Sequence, residues 1–386
     1  MPVRLGLFYA AIFLGNGASS PYMPVWFNHR GLSGAEIGLI LSAPMLARTF
    51  TAPMLAVWAD SFRLRRTPLV LLALVTAATY LLMAPPFGFA WWMVVWFVAS
   101  SVYSSLPPLH DVIVLNRARS DGFNYGWPRG MGSAAFIVGN VGMGAILTKG
   151  SPELVLVWMV VAVLLTAICG RWLIPPDPVQ AGGAVLKLSE RLAGVGDLLR
   201  DRDFMLAVVS VGLIQSAHAF YYAFSALTWK AQGIPESLTG VLWAIGVAVE
   251  IGFLWFMEPW RRRMGPRNLL ILGGVASVVR WTALAFSPPL WLLFPVQALH
   301  TFTYAATFLA SLEIVERLSS RTNASAAQTI NSALSGGMLY GGALIASGAL
   351  FDQVGAWGYL AMSLMAVAGI AAAIPLYRVA RLNDAG

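Results

Sequence analysis

Cysteine occurs once in these 386 residues, as Cys169 within an apolar run, so neither a disulfide nor a cysteine-rich metal site can be built. Charge is scarce as well. Asp, Glu, Lys and Arg make up 11% of the chain, against about a quarter in soluble domains. No Gly-x-x-x-x-Gly-Lys-[Ser/Thr] run occurs, which argues against direct drive by nucleotide hydrolysis, and nothing asks for a cofactor or a metal. The longest charged stretch is only 175–203, which carries Pro175-Pro176, Gly182-Gly183 and an amphipathic piece over 186–199.

What fills the chain is apolar sequence, 58% of all residues, with a mean hydropathy of +0.71. A spanning helix needs roughly 20 mostly apolar residues. Twelve such runs are expected, at 5–26, 37–58, 69–85, 89–109, 126–147, 154–173, 204–229, 238–257, 269–286, 291–312, 326–350 and 357–376. The reading is an all-α integral membrane protein of twelve transmembrane helices, arranged as a six-helix half (1–174), a cytoplasmic linker (175–203) and a second six-helix half (204–386).

The net charge of +8 is explained by topology rather than by nucleic acid. With the N-terminus in the cytoplasm, the outer loops hold only Arg30, Lys149 and Lys230, and the spans hold Arg48, Arg129 and Arg280. Every other Lys and Arg falls on the cytoplasmic side, including Lys187, Arg191, Arg321 and Arg381. That bias places both termini inside, in a bacterial-type inner membrane. A cleaved signal peptide is not expected, because apolar sequence continues past Ser19-Ser20 through Phe27. The sequon Asn323-Ala324-Ser325 lands in the cytoplasm and is silent.

The two parts echo each other at one constant offset. Gly31-Leu32-Ser33-Gly34-Ala35-Glu36-Ile37-Gly38 aligns with Gly233-Ile234-Pro235-Glu236-Ser237-Leu238-Thr239-Gly240, Arg65 with Arg267, Asp111 with Glu313, and Arg129 with Asn331. Parallel repeats around a midplane site are a transporter architecture.

Charge within the spans points to function. A charged side chain at a helix centre costs about 2.5–3.5 kcal/mol on insertion scales and persists where it lines a polar pathway. Arg129 offers a planar two-pronged donor suited to a carboxylate or to vicinal hydroxyls. Asp111, eighteen residues earlier, either joins it at a substrate site or forms an ion pair that ties two helices. Glu250 interrupts an apolar span with no charge within a turn; buried carboxyls favour the protonated form, which suits a proton relay. Arg280 and His300 stand twenty residues apart in neighbouring spans. Gln215, His218, Tyr222 and Ser225 form one helical stripe, and Asn16, Ser19 and Ser20 a shorter one, facing either a cavity or a neighbouring helix. Tyr22, Trp26, Tyr221, Tyr222 and Trp243 are candidate stacking partners for an aromatic ring, or else interfacial residues. Arg48 is an anion contact or a snorkelling residue.

Three segments carry a family resemblance. Asp60-Ser61-Phe62-Arg63-Leu64-Arg65-Arg66 resembles the major facilitator signature of an acid followed by bases, departing at Arg63 where glycine is usual. Tyr125-Gly126-Trp127-Pro128-Arg129-Gly130-Met131-Gly132-Ser133 is similar to a run of the phenylpropionate permease family, a relative of the lactose permeases. The segment from Gln215 to Trp229, continuing to Glu250, resembles the seventh and eighth spans of that same family. The resemblance implies the major facilitator fold, with Asp60, Arg65 and Arg66 in a conformational gating loop. It implies that Arg129 and Asp111 contact substrate, and that Glu250, Arg280 and His300 couple transport to protons. Thr303 stands where lactose permeases carry their main proton-bearing glutamate, which moves that role toward Glu250.

The expected function is therefore a monomeric proton symporter importing a small aromatic organic acid such as 3-phenylpropionate. Its partners are substrate, protons and the lipid bilayer, with no nucleic acid. The substrate-binding set is Arg129, Asp111, His218, Tyr222, Gln215, Asn16, Trp243 and Arg48. The alternative is a proton-coupled sugar or nucleoside symporter, in which Asp111 and Arg129 read hydroxyls. An enzyme is disfavoured because His218 and Ser225 lie too far apart along a helix to act as base and nucleophile. The fifth span lacks the Gly-Pro pair associated with exporters, which favours import.

Overall fold

The computed structural model describes residues 1–179, 194–320, 323–379 and 382. Gly182-Gly183, Lys187, Arg191, Arg321, Arg381 and most of the 186–199 segment lie outside them. The first elements in order are α1 (Pro2–His29), α2 (Gly34–Asp60), α3 (Arg66–Leu82), α4 (Phe89–Tyr103), α5 (Leu106–Asp121), α6 (Gly126–Leu147) and α7 (Glu153–Trp172). Then come α8 (Val195–Arg200), α9 (Arg202–Ser216), α10 (Ala219–Ala231), α11 (Glu236–Phe256), α12 (Glu258–Ala285) and α13 (Leu290–Ala298). A π-helical segment, Thr301–Ala306, leads into α14 (Thr307–Leu318). After α15 (Ala324–Asn331) a second π segment, Ser332–Leu339, leads into α16 (Tyr340–Val354), and α17 (Tyr359–Ala373) follows. Among the described residues the only β pairing is an isolated bridge between Leu64 and Pro178.

Nine of the described helices are long and apolar enough to cross a bilayer, and Arg66–Leu82 is a shorter apolar helix. One of the nine, Ala324–Arg378, runs for 55 residues, enough for more than one crossing. Their outer faces fit lipid rather than water: Phe50, Met54, Trp255, Phe256 and Leu364 are each about 70% exposed or more.

The chain packs as two compact units. One comprises Met1–Gly183 with Ala223–Ala244, the other Ala184–Tyr222 with Ile245–Gly386. In the first unit, α1 lies along α6 with glycine facing glycine. A Cβ on Gly139 would fall 2.5 Å from the Leu14 carbonyl oxygen, closer than real contacts allow, so the two backbones touch only because no side chain intervenes. This contact sets the position of the α6 segment that carries Arg129. In the second unit, Gly246 serves α11 in the same way: its absent Cβ would lie 3.2 Å from that of His300.

The turn after α1 recurs after α10, at the offset read in the sequence. Gly31 and Gly233 both adopt positive φ, 88° and 78°. Leu32 N–H donates to the Phe27 carbonyl at 3.1 Å and Ile234 N–H to that of Trp229 at 2.9 Å, closing each helix with the same reach back. The next helices then start at the corresponding residues, Gly34 and Glu236. Ser33 and Glu36 complete a capping box on the first of these.

Gly139→Leu should separate α1 from α6 at a cost of about 1–3 kcal/mol. A melting temperature in detergent several degrees below wild type is expected, and an unchanged one would disprove the close approach.

Candidate functional site

In the first unit Arg129 stands near the start of α6, half-buried. Its guanidinium lies over Phe13 at 4.3 Å and near Tyr9 at 5.7 Å from the ring centroids. One terminal nitrogen, Nη1, is buried with no hydrogen-bond partner among the described residues. Asp111 does not pair with it. The Asp111 carboxylate instead accepts from the Tyr9 and Tyr125 hydroxyls, the latter at 2.9 Å. The ion pair weighed from sequence is thus replaced by a tyrosine clamp, and Arg129 has no ion-pair partner among the described residues. Tyr9, Phe13, Asn16 and Ser20 follow one another on one face of α1, and Asn16, Ser19 and Ser20 are half-buried.

His110 escaped sequence reading. It is fully buried, with Nε2 2.9 Å from the Leu5 carbonyl oxygen, so Nε2 carries the proton. Its ring packs on Phe8 and Tyr9 at 4.5 and 4.4 Å and so fixes the tyrosine that clamps Asp111.

Several candidates turn out to be occupied. Tyr22 donates to the backbone carbonyls of Glu236 at 3.0 Å and Asn140 at 3.3 Å. Trp26 donates to Glu153 at 3.1 Å and packs edge-on against Phe27 and Trp92. Trp243 Nε1 donates to Ser225 Oγ at 3.1 Å, and both belong to the first unit, whereas Tyr222 belongs to the second. The stripe expected from Gln215 to Ser225 is interrupted by the turn at Ala217-His218 between α9 and α10, and its members divide between the units, Gln215, His218 and Tyr222 in the second and Ser225 in the first. Arg48 is exposed about halfway along α2.

The loop of Asp60, Arg65 and Arg66 is held by its backbone. Arg65 N–H donates to the Asp177 carbonyl and Val179 N–H to that of Arg63, each at 3.0 Å, around the Leu64–Pro178 bridge. Arg117 grips the Asp177 carboxylate with Nε at 2.8 Å and with Nη2. A cavity of about 240 Å³ lies beside this strap, lined by Arg65, Asn116, Arg117, Ser120 and Asp177 among others.

The second unit holds the densest polar cluster. Arg280 is completely buried, and three of its side-chain hydrogen bonds go to neutral acceptors on His300, Thr303 and Gln297. Nη1 donates to His300 Nδ1 at 3.0 Å and Thr303 Oγ1 at 3.1 Å, and Nη2 to Gln297 Oε1 at 2.8 Å. The rings of Tyr221 and Trp281 flank its charge at 4.5 and 4.7 Å. His300 Nε2 faces the Glu250 carboxylate at 3.6 Å. His218 donates from Nδ1 to the Gln215 carbonyl at 2.9 Å, leaving Nε2 3.0 Å from Thr303 Oγ1. Tyr222 stacks on His218, and Tyr304 on His300. Sequence reading put His218, Gln215 and Tyr222 in a substrate set and Glu250, Arg280 and His300 in a proton-coupling set, and did not single out Gln297 or Thr303 as partners of the arginine. Gln297 lies one helical turn before His300, and that spacing was the available signal.

The π-helical turn at Thr301–Ala306 follows His300 directly, and such turns gather at functional positions. At Arg280 three buried nitrogens have no hydrogen-bond partner among the described residues: its own Nε, Gln297 Nε2 and the Nε1 of the flanking Trp281. All are donors.

A buried, charged cluster in a membrane-spanning helical protein has a known setting, and residues 3–361 match the MFS_1 like family. The chain belongs to that family. Among its relatives is the probable 3-phenylpropionic acid transporter of Escherichia coli (strain K12), 29% identical over 311 residues, covering 81% of each chain. The maltose permease of Geobacillus stearothermophilus is 28% identical over 368 residues, covering 94% of this chain and 91% of that one. The crystal structure of the nucleoside transporter NupG matches with a TM-score of 0.78 at 18% identity over 98% of each chain, which establishes the fold. This family member is a multi-pass membrane transporter and not an enzyme.

Within this transporter Thr303 is the hub between two histidines and an arginine. Thr303→Val leaves Arg280 and His218 each short of a partner, a loss of about 1–3 kcal/mol for a buried group. Thermal unfolding in detergent should register it, and an unchanged midpoint would remove Thr303 from the network.

Proposed function

We propose that this protein is a proton symporter importing a small aromatic monocarboxylate, with 3-phenylpropionate as the model substrate. The observation that carries the reading is the set of buried donors around the Arg280 guanidinium that have no hydrogen-bond partner among the described residues. A group that only accepts hydrogen bonds and carries one negative charge satisfies such a site; a carboxylate does both. A sugar hydroxyl donates as well as accepts and would ask for acceptors beside the arginine. Tyr221, Tyr222, Trp281 and Tyr304 supply the aromatic surroundings for a ring. Within the first unit, Arg129 faces Phe13 and Tyr9, and Asn16 and Ser20 lie further along that helix; these are the candidate substrate contacts of that unit. Glu250 and His300 form the proton site.

The remaining parts of the reading follow from the charge bias and the repeat. Twelve spans form two six-helix halves joined by the 175–203 linker, with both termini in the cytoplasm of a bacterial inner membrane. The loop of Asp60, Arg65 and Arg66 takes part in gating. Proton symport suits this substrate because an anion entering an inside-negative cell works against about 2.3 kcal/mol per 100 mV, which one co-transported proton removes.

The deciding experiment is counterflow in proteoliposomes with aromatic acids, their esters and amides, sugars and nucleosides as competitors. Aromatic acids should compete and esters should not; competition by maltose or nucleosides alone would establish the sugar or nucleoside reading instead. Uptake should rise as external pH falls and collapse with a protonophore.

A second test addresses coupling. Glu250→Gln should retain exchange down a gradient at neutral pH while losing accumulation driven by a proton gradient. Wild-type accumulation in this variant would take Glu250 out of the proton site.

A further inference from the structure

The hydrogen bond from Arg280 to His300 determines which histidine nitrogen carries its proton. A guanidinium only donates, so His300 Nδ1, 3.0 Å from Arg280 Nη1, must present its lone pair. The proton of the neutral ring is then on Nε2, the nitrogen that faces Glu250 at 3.6 Å. His300 is nearly fully buried, seated against Gly246 on α11 and stacked on Tyr304. The titratable and charged groups around it are Arg280, Glu250, His218, Tyr221, Tyr222 and Tyr304.

We propose that substrate carboxylate and proton bind as a single event because both act on one hydrogen bond, Arg280 Nη1 to His300 Nδ1. This rests on the organic-acid symporter reading above. A carboxylate drawn to Arg280 takes over its Nη1 donor. If it arrives without a proton, its oxygen meets the bare lone pair of His300 Nδ1, acceptor against acceptor. If a proton arrives alone, Nδ1–H meets the guanidinium N–H, donor against donor and cation against cation. When both arrive, the carboxylate accepts from Arg280 Nη1 and from the new Nδ1–H, while Nε2–H continues to face Glu250. One N–H bond forms at Nδ1 with the incoming proton, and no electrons are exchanged. The site gains one negative and one positive charge, so its net charge is unchanged. The empty and doubly loaded states are satisfied and the two half-loaded states are not, which gives coupling of one to one.

Gln297 and Thr303 make the exchange reversible. Gln297 Oε1 at 2.8 Å keeps Nη2 oriented, and Thr303 Oγ1 at 3.1 Å gives Nη1 a second acceptor during the replacement. Arg280 is therefore never without a partner between the two states.

The test uses purified full-length protein, 3-phenylpropionate as probe, and calorimetry in buffers of different ionisation enthalpy at several pH values. Wild type should take up close to one proton per ligand bound, and its dissociation constant should weaken up to about tenfold per unit as pH rises, the slope of one linked proton. His300→Gln keeps an amide oxygen for Arg280 and an amide N–H for Glu250 but cannot be protonated. It should bind the probe with an affinity independent of pH and take up no proton. Binding by wild type without proton uptake, or uptake persisting in His300→Gln, overturns the linkage. Absence of binding by wild type at every pH, with aromatic acids also failing in counterflow, overturns the organic-acid reading itself.

Discussion

Everything in the second unit is arranged around the burial of one guanidinium. Arg280 has no exposure, and placing an unpaired cation in so dry a place costs several kcal/mol unless its donors find acceptors. The sequence supplies a histidine nitrogen, a threonine hydroxyl and an amide oxygen, plus two aromatic faces. That combination gives the buried guanidinium acceptors from three different residues, so losing any one of them leaves the others in place.

The first unit solves a related problem differently. Asp111 and Arg129 both enter apolar helices, yet the acid is satisfied by tyrosine hydroxyls and the base by aromatic faces. Hydroxyl donors let a carboxylate stay buried without a cation, so the acid and the base are held independently and neither depends on the other's presence. In the second unit the positions matching this pair have been put to structural use: Glu313 pairs with Arg317 at 2.5 Å on its own helix, and Asn331 donates to Ser311 at 3.2 Å. The charged chemistry there has moved to Glu250, Arg280 and His300.

What the sequence revealed divides along the range of the forces involved. Apolar runs, the asymmetric spread of Lys and Arg, and the paired turns at Gly31 and Gly233 are local or compositional, and each is legible residue by residue. Arg280, His300 and Glu250 stood out because charge in an apolar run is rare. Partners set by packing were hidden. Tyr9 meets Asp111 across 102 residues, and nothing near either one announces it. Gln297 and Thr303 are ordinary polar residues in a span until the arginine is seen to rest on them. Trp243 stood out only as an aromatic ring, and the Ser225 hydroxyl that orients it through the indole nitrogen was not visible from sequence. An aromatic residue in a membrane helix has too many uses for sequence to choose among them.

The recurring turn has a consequence for assembly. Leu32 and Ile234 each close their helix by reaching back five residues, and the following helix begins within a few residues of that closure. Each pair of helices can thus form a hairpin from contiguous chain, at the small entropic cost of a short loop. These hairpins need only contiguous chain, whereas the contacts of Arg280 with His300 and of His218 with Thr303 wait for sequence well beyond either turn, so the glycines fix local register before the distant polar contacts have partners.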